Sequence, residues 1–232
     1  MEKSTFGKIT ILATCALVQP AWADDDISVT AGVRLWSVEW LGNGLEGRSV
    51  THLDSGATTV PILVGSVRYK DFGFSASRFM STSFTLANAN PQATFRTKRV
   101  ELDLHASYYF LPGLSAGIGY KESDFSGGTV KGPIFSLAGS APLGSGIGLY
   151  ANGAIGPLKA RFPGANSNAN YTLSELGFSY SFDGASLGAM KGWSATLGYR
   201  YQSIKLKNFQ LFFGQDVRDS TVGTTLGLFA RF

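Results

Sequence analysis

Between Arg99 and Phe110 hydrophobic and polar residues alternate with almost no error. Val100, Leu102, Leu104, Ala106, Tyr108 and Phe110 hold one parity; Arg99, Glu101, Asp103, His105, Ser107 and Tyr109 hold the other. Successive side chains of a strand point to opposite sides, so this segment has one greasy face and one ionised face. The same alternation predicts ten strands, at roughly 27–40, 59–70, 72–85, 95–110, 114–124, 132–143, 147–157, 171–183, 192–206 and 220–232. Short connections are expected at Lys70 to Phe72, Leu111 to Gly113, Gly144 to Gly146 and Asp183 to Lys191. Long ones are expected at 41–58, 86–94, 125–131, 158–170 and 207–219, in strict alternation with the short.

Ten such segments with almost no helix-period stretch between them fit an all-β, transmembrane antiparallel up-and-down β-barrel, with lipid outside and a polar lumen inside. Eight or twelve strands are the alternatives. A secreted β-sandwich fits less well, because it seldom carries ten alternating segments ending in aromatics. Short turns on one side and long loops on the other are how outer-membrane barrels are connected, and an even strand count puts both termini at the short-turn end. Outward faces are Val29, Ala31, Val33 and Leu35; Leu114, Ala116, Ile118 and Tyr120; Phe135 and Leu137; Leu176, Phe178, Tyr180 and Phe182; Trp193, Leu197 and Tyr199. The second strand is ambiguous, since Val60, Ile62 and Val64 share a parity with Ser66, Arg68 and Lys70. Pro61 and Pro133 are expected at strand starts, because proline cannot donate to a ladder. Aromatics beside the short turns (Tyr69, Phe72, Tyr108, Tyr109, Phe110) and near the long loops (Trp36, Trp40, Phe84, Phe95) suggest two interfacial girdles.

Residues 1–23 read as a cleaved secretory signal peptide, leaving a barrel over 24–232. Lys3 and Lys8 give a basic start, Ile9 to Val18 a short apolar stretch, and Ala21-Trp22-Ala23 a small-x-small cleavage site. The one cysteine, Cys15, falls in this leader, so the mature chain is expected to have neither disulfides nor thiol ligands. Charged residues make up only 16% of the chain and no Lys/Arg cluster lies on a helix, which argues against nucleic acid as a partner.

Val222, Thr224, Leu226, Leu228, Ala230 and Phe232 form one parity that ends on a carboxy-terminal aromatic. This resembles the last strand of Gram-negative outer-membrane β-barrel proteins. The resemblance implies outer-membrane localisation and recognition of Phe232 by the barrel assembly machinery; Ala230 departs from it, since an aromatic is common there. No functional subfamily is indicated.

Candidate chemistry is sparse. Gly113 to Gly117 and Gly184 to Gly188 both match Gly-x-Ser-x-Gly, but no histidine follows residue 105, so the order a nucleophile elbow needs fails. His105 and Ser107 share a strand face, which resembles the His-x-Ser arrangement of outer-membrane lipid A deacylases; Tyr108 replaces the usual Asn, and the pair is expected to face the lumen. Proteolysis at the outer rim would need converging acids and histidine, for which His52 with Asp54 is the one candidate. Two histidines and scattered carboxylates do not give metal-ligand spacing, and no cofactor is expected. A lumen charge network is the better reading of Arg99, Glu101, Asp103 and His105, with Arg34, Arg78, Lys121 and Arg200 as partners. Small residues at lumen positions, among them Gly32, Gly73, Ser75, Gly117, Gly119, Gly198 and Gly227, are the signal for a thin water path.

Basic residues collect toward the loop end. Arg96, Lys98, Lys131, Lys159, Arg161, Lys205 and Lys207 are candidate contacts for lipopolysaccharide phosphates. The loop from Asn208 to Phe213 is unusually apolar and is expected to pack at the interface. Three functions follow as expectations. The first is a non-enzymatic barrel, either a narrow channel for small solutes or ions or a structural envelope protein. The others are a lipid-modifying enzyme and a loop-mediated adhesion module.

Overall fold

The computed structural model describes residues 27–44, 51–88, 94–182, 190–209 and 215–232. The expected signal peptide, most of the fifth loop's apolar stretch and the second Gly-x-Ser-x-Gly match lie outside them. The described residues form ten strands: β1 (Ile27–Gly44), β2 (Thr51–Tyr69), β3 (Phe72–Asn88), β4 (Thr94–Leu111), β5 (Leu114–Phe125), β6 (Gly128–Gly144), β7 (Ile147–Phe162), β8 (Ala165–Phe182), β9 (Gly192–Phe209) and β10 (Gln215–Arg231). Each strand pairs antiparallel with its sequence neighbours, and β1 pairs with β10 to close the barrel.

The register fixes the tilt. Followed pair by pair from Tyr180 on β8 through Ala195, Leu228, Val33, Leu63, Arg78, Leu102, Glu122, Lys131 and Lys159, it returns to β8 at Asn168, a shift of twelve residues. Strands of such a barrel lean by roughly 40° from its axis, so each step around this path climbs about 3 Å. Levels on different strands are thereby comparable. Tyr69, Phe72, Tyr108, Phe110, Tyr180 and Phe182 fall at one height, the inner girdle, and all are exposed.

From that girdle up to Tyr120, Phe135 and Tyr199 the outward face is apolar over about 15 Å by the same register, within the roughly 25 Å hydrocarbon band of outer-membrane barrels. Beyond it the pattern inverts. On β8, outward Leu176, Phe178, Tyr180 and Phe182 give way to Asn166, Asn168, Asn170 and Thr172, while inward Glu175 and Ser179 give way to Leu173, Tyr171 and Ala169. On β1, outward Val29 to Leu35 hand over to inward Trp36, Val38 and Trp40. A strand facing hydrocarbon exposes its apolar side; the same strand beyond the bilayer faces water and buries it. The inversion explains the ambiguity of β2, where Val60 and Ile62 fill the outer interior and Ser66 lines the inner one.

Several expectations are corrected here. Trp36, Trp40 and Phe84 do not face lipid at an outer girdle. They are buried inside, at 0%, 5% and 0% exposure, in a cluster with Val38, Val60, Phe79 and Leu86. Exposed Tyr120, Phe135 and Tyr199 stand at the outer level instead; the Phe95 side chain lies outside the described residues. Tyr109 points inward, under the Arg68 guanidinium at 4.1 Å. The strict alternation of short and long connections also fails. β5 and β6 are joined by Ser126-Gly127, and β7 and β8 by Pro163-Gly164, as tightly as at the inner end. Of the residues expected as long loops, those described are mostly strand projecting beyond the membrane. Pro61 and Pro133 lie within β2 and β6 rather than at their starts, where the β2–β3 and β6–β7 ladders lapse and no N–H is needed.

Candidate functional site: the lumen charge layer

At mid-height the interior is crossed by ionised side chains. Glu101 on β4 accepts from Gln202 on β9 at 2.7 and 3.0 Å, and β4 and β9 are diametrically opposite. Glu101 also takes Arg99 at 2.6 Å and Lys121 at 2.8 Å. Lys121 reaches Asp103 at 2.8 Å, and Arg99 reaches Asp219 on β10 at 2.9 Å. A second group centres on Glu175, which meets Arg34 at 2.9 Å and Arg200 at 3.5 Å and accepts from the Tyr150 hydroxyl at 2.9 Å. Arg200 also donates to the Gln202 amide oxygen at 3.2 Å, joining the groups. Four cations face four carboxylates, so the layer is neutral, the condition under which buried ions persist.

The outer side of this layer is roofed by rings. Arg99 lies over Trp40 and Phe125 at 5.2 and 5.1 Å, Arg200 over Trp36 at 5.0 Å, and Lys121 under Tyr171 at 4.8 Å. Above them Phe84, Trp40, Phe125, Phe162 and Phe209, one from each odd-numbered strand, form a chain of aromatic contacts with centroids 5.0–6.5 Å apart. Two apolar clusters fill the outer interior and meet at Phe125.

Several of the small lumen residues are covered by large neighbours. A Cβ on Gly198 would strike the Tyr150 hydroxyl, and one on Gly32 the Phe229 ring. These glycines make room for large side chains lying across them, an arrangement that stabilises glycine in a sheet.

Of the eight residues assigned to the lumen network, Arg34, Arg99, Glu101, Asp103, Lys121 and Arg200 join it. His105 is buried at the same wall, but its Nδ1 has no hydrogen-bond partner. Arg78 is the correction: it shares the outward parity of Phe72, Phe74 and Ala76 and is exposed on the lipid side. Sequence reasoning missed Glu175, Asp219, Gln202 and Tyr150. Glu175 was legible as an acid at a lumen position of β8; Asp219 was assigned to a loop.

Other candidates resolve simply. His105 and Ser107 face the interior, away from the side where an acyl chain arrives. The Asp54 carboxylate accepts from the Gly56 N–H at 2.7 Å, within its own turn; the His52 side chain lies outside the described residues. Among the described residues no three potential metal ligands cluster. Arg96, Lys98, Lys131, Lys159, Arg161, Lys205 and Lys207 all project from the polar outer half. Lys131 and Lys159 are direct cross-strand neighbours. Lys159 donates to Asn168 at 2.7 Å and Lys205 pairs with Asp216 at 2.9 Å. That Lys205 contact and the Asn208 N–H hold the Asp216 carboxyl below the usual range. The Phe232 ring is exposed at the inner rim, and its N–H donates to the Val29 carbonyl at 2.9 Å.

No protein-family model and no curated protein sequence matches the chain. Solved structures do. The outer-membrane protease OmpT from Escherichia coli superposes with a TM-score of 0.53 at 14% identity, over 88% of this chain and 97% of that one. A Pseudomonas aeruginosa FadL homologue gives 0.36 at 11% identity, over 91% of each chain. The P. putida toluene transporter TodX gives 0.31 at 10%, over 93% of this chain and 92% of that one. The likeness is one of architecture. With its apolar band and closed ten-strand ring, the chain is a β-barrel of the outer-membrane type.

Proposed function

We propose that the protein is a non-enzymatic structural barrel of the outer membrane with a closed lumen. The observation that carries this reading is the Glu101–Gln202 link across the full width of the barrel, backed by rings on its outer side. Small barrels filled by their own side chains are scaffolds for what they present outward. The seven outer basic residues then serve as contacts for lipopolysaccharide phosphates, and Phe232 as the assembly signal during biogenesis.

Planar-bilayer recording tests it. The wild-type protein is expected to give no stepwise openings. Openings that change after Arg99→Ala or Asp103→Ala would make it a small-solute or ion channel instead. Altered lipid A acylation in cells making the protein would establish the enzyme. Binding to a surface lost on trimming 45–50 or 210–214, outside the strands, would establish adhesion.

A further inference from the structure

Arg78 is the one described ionised side chain that points outward between the inner girdle and the level of Tyr120 and Phe135. Its cross-strand neighbours are Leu63 and Leu102, exposed and half-buried, and it forms no ion pair among the described residues. By the register it stands about 15 Å above Tyr180, level with Phe135 and Tyr120 at the outer interface. Directly below it, on the same face, lies an open apolar trough of about 780 Å³. Ala31, Gly65, Ala76 and Ala106 form its floor, and Phe74 and Ile118 stand at its sides. The first three are in register on adjacent strands, so the depression is a feature of the wall.

We propose that Arg78 and this trough bind one phosphorylated lipid of the outer leaflet, lipopolysaccharide, with a lipid A phosphate on the guanidinium and one acyl chain in the trough. A cation facing hydrocarbon is tolerated at headgroup level when it meets an anion, and a guanidinium fork matches phosphate oxygens two at a time. The trough volume lies within the range of ligand pockets. Position decides the occupant: the cation marks the outer end of the trough, and the depression runs inward from it into the acyl layer. The site is separate from the Lys131–Lys159 group, which stands about 10 Å farther out by the same register.

The test uses the refolded full barrel, titrated with lipid A, with dephosphorylated lipid A and with phosphatidylglycerol, and read by native mass spectrometry. Heat-modifiable gel mobility identifies folded protein. Wild type should retain lipid A, and Arg78→Ala and Arg78→Gln should weaken it about tenfold or more. The double variant Ala76→Leu/Ala106→Leu, with Arg78 intact, should weaken it similarly by filling the trough. Dephosphorylated lipid A should bind wild type no better than lipid A binds Arg78→Ala. Unchanged affinity in the arginine and trough variants would overturn the proposal. Equal retention of phosphatidylglycerol would overturn the assignment to lipopolysaccharide. A wild-type dimer abolished by the trough variant would instead make a second copy of the barrel the occupant.

Discussion

Gln202 and Glu101 stand on opposite walls of the barrel, 101 residues apart in the chain, yet the amide donates to both carboxylate oxygens. Glu101 is therefore the shared acceptor of three strands. Glu101→Ala leaves Arg99 and Lys121 buried without it, and breaking a buried pair from one side costs about 3–5 kcal/mol. Urea unfolding in lipid vesicles, followed by tryptophan fluorescence, should show that loss. Planar bilayers should also show openings absent from the wild type.

The inversion of polarity along β8 gives a paired experiment on a single face. Phe178→Arg puts a charge near the middle of the apolar band and should cost about 2–4 kcal/mol. Thr172→Arg, farther out on the same side and with Ile155 and Ser203 as cross-strand neighbours, should stay within about 0.5 kcal/mol. Equal costs would move the membrane boundary.

Tyr150 lies across Gly198 while donating to Glu175. Gly198→Ala should destabilise by about 1–3 kcal/mol through overpacking. Tyr150→Phe should cost about 1–2 kcal/mol for the lost hydrogen bond. The double variant should cost less than the sum, because the phenol oxygen is the atom the new methyl meets. Denaturant midpoints of the four proteins measure the coupling.

Trp40 touches Phe84 and Phe125 and shields Arg99. Trp40→Ala should cost about 3–5 kcal/mol, as in the core of a water-soluble protein, although the residue sits in a membrane protein. A cost below about 1 kcal/mol in the same vesicle assay would contradict a packed outer interior.

How much the sequence discloses depends on which medium a stretch faces. β4 is legible over Arg99–Phe110 because lipid outside and ions inside give two unlike faces, and six lumen charges follow from parity alone. On β1 the apolar parity passes from odd to even positions between Leu35 and Trp36, so Trp36 and Trp40 read as an outer girdle while they point inward. The outer ends of β6, β7, β8 and β10 read as loop, Asp219 among them, because their inward side is apolar there and the outward side polar. Arg78 was misplaced differently. Its parity with Phe72 and Phe74 was visible, but the rule that charges face the lumen outweighed it, and that rule fails where the headgroup layer begins.

Nine of the ten ladders join neighbours in sequence; the tenth joins the two ends of the chain, Thr30 to Arg231 and Gly44 to Val217. The Arg34–Glu175 and Arg99–Asp219 contacts, 141 and 120 residues apart, both reach around that seam. An open sheet therefore leaves Arg34 and Asp219 without the partners they reach across it, while already presenting a greasy exterior. Shutting the cylinder is what neutralises them, so insertion and closure are driven to happen together, and a half-rolled intermediate has no comfortable place in the bilayer.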